Sequence, residues 1–199
     1  MAFSLNEGRQ LVTLARSAIE AIFSQQKTST PAELATKLAK QGGVFVTLHS
    51  YPGHELRGCI GFPRAVLPLG QAIVQAAQGA ASQDPRFPPL HEAELDAVII
   101  EVSMLTQPKL IEVKDPHDCP KRIRIGLDGL IIQHGFYSGL LLPQVAPEQG
   151  WNAEQFLDHA CIKAGLSEKA WLEPSTKVYK FQAQIFSETK PGGGVIEKK

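Results

Sequence analysis

The sequence predicts an α+β fold. Three observations predict it. Capped, amphipathic helix patterns alternate with short β-branched runs. The order hairpin, helix, strand occurs in each half of the chain. Finally, 43% of the 199 residues are hydrophobic, enough to bury a sizeable core.

The first helix is signalled by Ser4 and Glu7, a capping-box pair in which each side chain satisfies a backbone N–H of the other. Leu11, Leu14, Ala15, Ala18, Ile19, Ile22 and Phe23 follow at helical spacing. Thr30, Pro31 and Glu33 mark a second start, with proline at the first helical position, and Gly42 and Gly43 stop that helix. The period then changes to two. Val44 to Leu48 reads as a strand, Ser50-Tyr51-Pro52-Gly53 as a turn and Glu55 to Gly61 as the returning strand. Leu69 to Ser82 is Ala-rich and helical, with Pro68 at its start. Gln83 to Leu90 holds three prolines and reads as a loop. Ala97 to Leu105 is β-rich, and Lys109 to Val113 reads as a short strand.

The second half predicts the same order. Asp128-Gly129, between Arg122–Leu127 and Leu130–His134, is a strong hairpin signal. Gly139 to Leu142 reads as a strand, Asn152 to Ala164 as a helix stopped by Gly165, and Lys177 to Phe186 as a last strand. The offset between halves is roughly 80 residues, which suggests an internal duplication of a β-hairpin–helix–strand unit. Ordinary α+β alternation without duplication is the competing reading. One domain is expected over 4–189. The tail 190–199, with its three consecutive glycines, is expected to be disordered.

Charge and cysteine usage narrow the function class. Lys plus Arg is 20 and Asp plus Glu is 20, a formal net charge of zero. That argues against nucleic acid as a partner, since its binders are basic overall. No apolar run is long enough to span a membrane. The cysteines Cys59, Cys119 and Cys161 are too few for a disulfide framework, and the start Met1-Ala2-Phe3-Ser4 is not that of a signal peptide. A cytoplasmic location with reduced thiols is expected.

Leu56-Arg57-Gly58-Cys59-Ile60-Gly61 resembles the hallmark hexapeptide of the family named after the human AMME chromosomal region. Asp84-Pro85-Arg86-Phe87, Ile100 to Leu105, Gly129-Leu130-Ile131 and Gly139 to Val145 are similar to stretches of the same family. The likeness runs from about Ser4 to Thr189. It implies a duplicated unit around one strongly curved, barrel-like mixed sheet flanked by helices. It implies no settled activity. Members also resemble a component encoded beside a dioxygenase-like protein and a radical-type enzyme in microbes, which hints at modification chemistry.

The residues themselves suggest a site. Strand alternation puts Glu55, Arg57 and Cys59 on one face. A guanidinium beside a thiol lowers its pKa and favours the thiolate nucleophile. The competing reading is a packed, inert cysteine, with Arg57 paired to Glu55 or Glu101. Asp84 and Arg86 lie on the proline-rich loop, where Arg86 can grip a carboxylate or phosphate or else tie the loop to Asp84. Glu101 interrupts an apolar strand and needs Arg57 or Arg86 as a partner if buried. Of six histidines, His134 is the candidate base, at a strand end in a family-like stretch. Gln144 joins the candidate ligand-binding residues through the family-like stretch alone.

Metal ligation is poorly supported. His117-x-Cys119 and His159-x-Cys161 do not complete a tetrahedral set. No phosphate cradle is present, and no cofactor is expected. Two readings result. One is an enzyme or enzyme subunit with a cleft around the hexapeptide, using Cys59 as nucleophile or redox thiol. The other is a domain that binds a small anionic ligand or a protein partner without turnover.

Overall fold

The structure is a computed structural model that describes residues 2–24 and 28–198. In chain order its elements are α1 (Leu5–Glu20), α2 (Ala35–Leu38), β1 (Gly43–Ser50), β2 (Leu56–Phe62), α3 (Leu69–Ser82), β3 (Val98–Leu105), β4 (Lys109–Leu110), β5 (Gly129–His134), β6 (Tyr137–Leu141), α4 (Val145–Gln149), α5 (Ala153–Lys163), β7 (Lys177–Phe181), β8 (Ala183–Glu188) and β9 (Val195–Lys198). The fold is α+β. Among the described residues, no helix is long and apolar enough to cross a membrane.

The chain forms two compact units, Met1–Leu105 with Gln184–Lys199 and Thr106–Ala183. The strands do not make the single sheet expected from the sequence. Among the described residues there are two sheets, of order β2-β1-β3-β8-β9 and β4-β7-β5-β6. The cause lies at Gln182. The single alternating run Lys177–Phe186 breaks there, and its halves pair in different sheets. The two chain crossings are clasped together: Thr106 N–H donates to the Gln182 carbonyl, and Gln182 N–H donates to Thr106 Oγ1, both at 2.8 Å.

In the first unit the Ser4–Glu7 capping box forms as expected. The apolar faces of α1 and α3 pack on Val44, Val46 and Leu48 of β1 and on Ile100, Val102 and Met104 of β3. The second helix is weaker than the sequence predicts. A 3-10 turn at Ala32–Leu34 leads into the single turn of α2, and no side chain caps it. In the turn after β1 the left-handed residue is His54, with φ 56°, rather than Gly53. Arg16 reaches from α1 into the sheet. Its Nε and Nη2 donate to both oxygens of Glu188 at 2.6 Å, and its Nη1 and Nη2 to the carbonyls of Leu95 and Val98.

One contact positions the functional face. A Cβ on Gly58 would run into the carbonyl oxygen of Ala80, so only glycine lets the last turn of α3 sit down on β2. Asp84, two residues past the end of α3, is thereby brought against the sheet edge. The tail is also ordered where disorder was expected. Val195–Lys198 pairs with β8, joining Lys198 to Ile185 and Ile196 to Ser187. The glycines of the tail form the turn that returns the chain, closed by Thr189 N–H donating to the Gly194 carbonyl.

In the second unit Asp128-Gly129 is not a hairpin turn. Arg122–Leu127 forms no strand, because Pro116–Arg122 coils into a 3-10 helix. Buried Asp128 instead accepts from Arg124 N–H, Lys180 Nζ and Gln182 Nε2. The hairpin is β5–β6, turning at Gly135-Phe136. Asn152 caps α5 in a box with Gln155, and Phe156, Leu157, Ala160 and Cys161 fill the core with Trp171. Gly139 of β6 meets the backbone of Lys163 and Ala164 at the end of α5, as Gly58 meets Ala80.

Candidate functional site

The two faces of β1 differ in chemistry. Val44, Val46 and Leu48 face the helices and are fully buried. Phe45, Thr47 and His49 alternate onto the opposite face. The register pairs Thr47 with Cys59 on β2 and with Glu101 on β3. Cys59, Thr47 and Glu101 therefore form one row across three adjacent strands. Thr47 Oγ1 donates to Cys59 Sγ at 3.2 Å. The N–H of Cys59 points away from β1, so this is the closer-spaced kind of antiparallel pair, in which side chains touch.

Asp84 fills the open edge of β2. Its Oδ2 accepts from Cys59 N–H at 2.8 Å. Its carboxylate also takes Arg86 side-on, from Nε at 2.9 Å and Nη2 at 2.7 Å. The Arg86 guanidinium lies over the Phe87 ring, 5.4 Å from its centroid. Arg86 holds the Asp84 carboxyl well below the usual carboxylate range, and the Cys59 N–H adds to this. The carboxylate is buried, whereas the arginine side chain is 55% exposed. The outward end of this pair is positive.

Arg57 is placed elsewhere, which corrects its assignment as the activating neighbour of the thiol. The register slips between Leu48 and His49, so Arg57 is an extra residue in β2 and strict alternation fails there. Its guanidinium forks onto Glu94 and donates to the carbonyls of Pro88 and Pro89. Arg57 anchors the proline loop. The arginine whose charge bears on Cys59 is Arg86.

The thiol is half-buried, and burial pushes its pKa up. The Thr47 hydroxyl and the Arg86 charge oppose this, and the charges of Asp84 and Glu101 reinforce it. Cys59 rests as a thiol, not the preformed thiolate expected from an adjacent free arginine. Cys119 and Cys161 are buried in the second unit, and burial pushes both up to about 11.

Glu101 is buried but pairs with neither expected arginine. Its partner is Lys198, Nζ to Oε2 at 2.6 Å, delivered by β9. His49 shares the face two residues from Thr47. Burial pushes its imidazole pKa down, with Lys198 and His54 acting in the same sense and Glu101 and the His54 backbone against it. Sequence reasoning missed Thr47, His49 and Lys198. The polar alternation Thr47, His49 against Val44, Val46, Leu48 was a usable signal. Lys198 had none, because it follows a glycine run.

His134 and Gln144 belong to the second unit. His134 Nδ1 lies 2.9 Å from Thr176 Oγ1 and 3.7 Å from the Glu173 carboxylate. Gln144 immediately precedes the short α4, and its Oε1 is buried without a hydrogen-bond partner. His159 stacks on Trp151 with ring centroids 3.8 Å apart. Among the described residues, no group of three or more His, Cys, Asp or Glu side chains is arranged to hold a metal.

Comparison with known proteins supplies the family. The AMMECR1 family model matches residues 12–186. A protein of Methanocaldococcus jannaschii is 49% identical over 196 residues, covering 98% of this chain and 97% of its own. One of Thermococcus onnurineus is 51% identical over 195 residues, covering 96% and 95%. The crystal structure of an uncharacterized protein from Pyrococcus horikoshii superposes with a TM-score of 0.89 at 48% identity, over 96% of each chain. The chain belongs to the AMMECR1 family.

Proposed function

We propose that the first unit carries the thiol site of an enzyme or enzyme subunit, with Cys59 as its nucleophile or redox thiol. The observation that carries this reading is the double hold on Cys59. Thr47 Oγ1 donates to its sulfur and Asp84 accepts from its N–H, and the residue is half-buried where Cys119 and Cys161 are buried. A merely packed cysteine needs neither. The hydroxyl donor stabilises a thiolate once one forms. His49, held toward its neutral form on the same face, is a proton acceptor by chemistry. Arg57 takes no part in the reaction and fixes the loop.

Peptide-resolved labelling of the folded protein with iodoacetamide tests this. Cys59 is expected to react well before Cys119 and Cys161. Equal rates at the three cysteines would sink the reading.

A second reading is a domain that holds a small anion or a protein partner without turnover. The raised thiol pKa favours it. Cys59→Ser divides the two: it abolishes turnover in the first and spares binding in the second. Cytoplasmic residence belongs to both readings, supported by three unpaired cysteines.

Duplication is part of the proposal. The orders β2-β1-β3 and β6-β5-β7 both lay the post-helix strand beside the first hairpin strand. Gly58 and Gly139 occupy equivalent places under the following helix. These likenesses support one ancestral hairpin–helix–strand unit.

A further inference from the structure

The Arg86 guanidinium is fixed on two sides and open on a third. Nε and Nη2 donate to Asp84, and the Phe87 ring backs the plane. Nη1 makes no hydrogen bond among the described residues. Asp84 ties the guanidinium to Cys59, since the carboxylate that takes the fork also accepts the Cys59 N–H at 2.8 Å. A planar fork held in this way is pre-organised for a second oxyanion, at a lower entropy cost than a free side chain.

Building on the Cys59 thiol reading, we infer that the molecule taken at this site carries a carboxylate, docked on the open Nη1/Nη2 end of Arg86 beside the Cys59 sulfur. A carboxylate suits the place better than a phosphate. The cations here are already matched, Arg86 by Asp84 and Lys198 by Glu101, so the site holds no surplus positive charge for a dianion and offers a planar monoanion one open fork edge. Asp84 is spent on Arg86 and the Cys59 N–H. Its task is to aim the guanidinium outward.

Iodoacetate and iodoacetamide test this, because they have nearly the same shape and differ by one charge. With either, the Cys59 sulfur bonds to the CH2 carbon, iodide leaves with the carbon–iodine electron pair, and the thiol proton passes to buffer base. Rates at Cys59 are read by peptide mass spectrometry in folded and urea-unfolded protein. The iodoacetate-to-iodoacetamide ratio is expected to rise about five-fold on folding, the scale of one exposed ion pair. Arg86→Gln returns it to the unfolded value, and Arg86→Lys, with charge but no fork, keeps part of it. Excess acetate slows iodoacetate labelling of the wild type where sodium chloride of equal ionic strength does not, a readout that needs no variant. A ratio unchanged by folding or by Arg86→Gln overturns the carboxylate inference and leaves the thiol reading intact. Protection by inorganic phosphate at lower concentration than acetate replaces carboxylate by phosphate. If neither reagent reaches Cys59 in the folded protein, both the inference and the reading beneath it fall.

Discussion

Asp84 Oδ2 accepts the backbone N–H of Cys59 at 2.8 Å across a sheet edge that would otherwise be unpaired. The buried carboxylate does three things at once. It satisfies the strand, orients Arg86 and blocks edge pairing. Asp84→Ala leaves the Cys59 N–H without its acceptor and Arg86 without its partner, and is expected to destabilise the first unit by about 1–3 kcal/mol. The effect depends on pH. The folded carboxyl lies well below the ordinary range, so its contribution is complete above the unfolded pKa of about 3.9 and is lost as pH falls through that value toward the folded one. Denaturant titrations of wild type and variant should therefore differ by a constant above about pH 5 and converge in acid. A difference independent of pH would show that the ion pair contributes nothing.

Gly58 and Gly139 each admit a helix end to within backbone contact of a strand. In both cases the obstacle is main chain, not a side chain that can turn away. Gly58→Ala and Gly139→Ala are each expected to cost about 1–3 kcal/mol by overpacking. Gly58→Ala should also loosen the hold of Asp84 on Cys59, seen as faster hydrogen exchange of the Cys59 amide. Gly135→Ala offers a contrast. A Cβ there meets nothing, but its φ of 57° strains any other residue. Its cost comes from backbone alone, about 1 kcal/mol.

Arg16 and Glu188 form a buried, two-pronged ion pair between the first helix and β8, completed by two carbonyl acceptors. Removing one partner strands the other charge. Arg16→Ala is expected to cost about 3–5 kcal/mol, and Arg16→Lys nearly as much because a lysine cannot make the fork. The double replacement Arg16→Met with Glu188→Leu should recover most of the loss. Thermal unfolding of the three variants checks this, and a double variant no better than Arg16→Ala refutes it.

The sequence displayed the elements better than their partnerships. Capping at Ser4 and Asn152, the alternation of β1 and the Ala-rich α3 are local, and each is legible in a few residues. The split of Lys177–Phe186 between two sheets was not, because strand alternation carries no record of which neighbour pairs with it. Asp128-Gly129 misled because turn chemistry and a buried, hydrogen-bonded carboxylate use the same residue. At the site, Cys59, Asp84, Arg86 and Glu101 were legible as chemistry out of place. Their partners were not. One extra residue in β2 turned Arg57 toward the loop, and Lys198 arrives from the far end of the chain.

Thr47 supplies the hydrogen bond that works against burial at the thiol. Alkylation of Cys59 in the folded protein is expected to rise with pH only through and above the ordinary thiol value of about 8.5. Thr47→Val, which removes the donor and keeps the shape, should push the midpoint further up and slow labelling at neutral pH. Cys119 and Cys161 serve as internal standards, since burial pushes both up to about 11. A midpoint well below 8.5 in the wild type would show that the thiol is activated before any ligand arrives.

His49 gives the site a measurable acid limb. Its imidazole is pushed down by burial first, then by the charges of Lys198 and His54, with Glu101 and the His54 backbone opposing them. A histidine whose folded pKa lies below its unfolded value binds protons more readily when unfolded. Stability therefore rises with pH across that interval. The first unit should lose stability as pH drops below about 6.5, the unfolded value, and the loss should level off below the folded pKa. His49→Gln should flatten this limb without moving the Asp84 limb at lower pH. Lys198→Ala removes a positive neighbour and frees the charge of Glu101, and both changes move the His49 titration back toward its ordinary value. The ring resonances of His49, followed by NMR across the acid range in wild type and Lys198→Ala, read this directly. A wild-type midpoint at or above 6.5 would remove the neutral state that the proposed proton-acceptor role of His49 requires, and a midpoint that Lys198→Ala leaves in place would show that the Lys198 charge has no part in it.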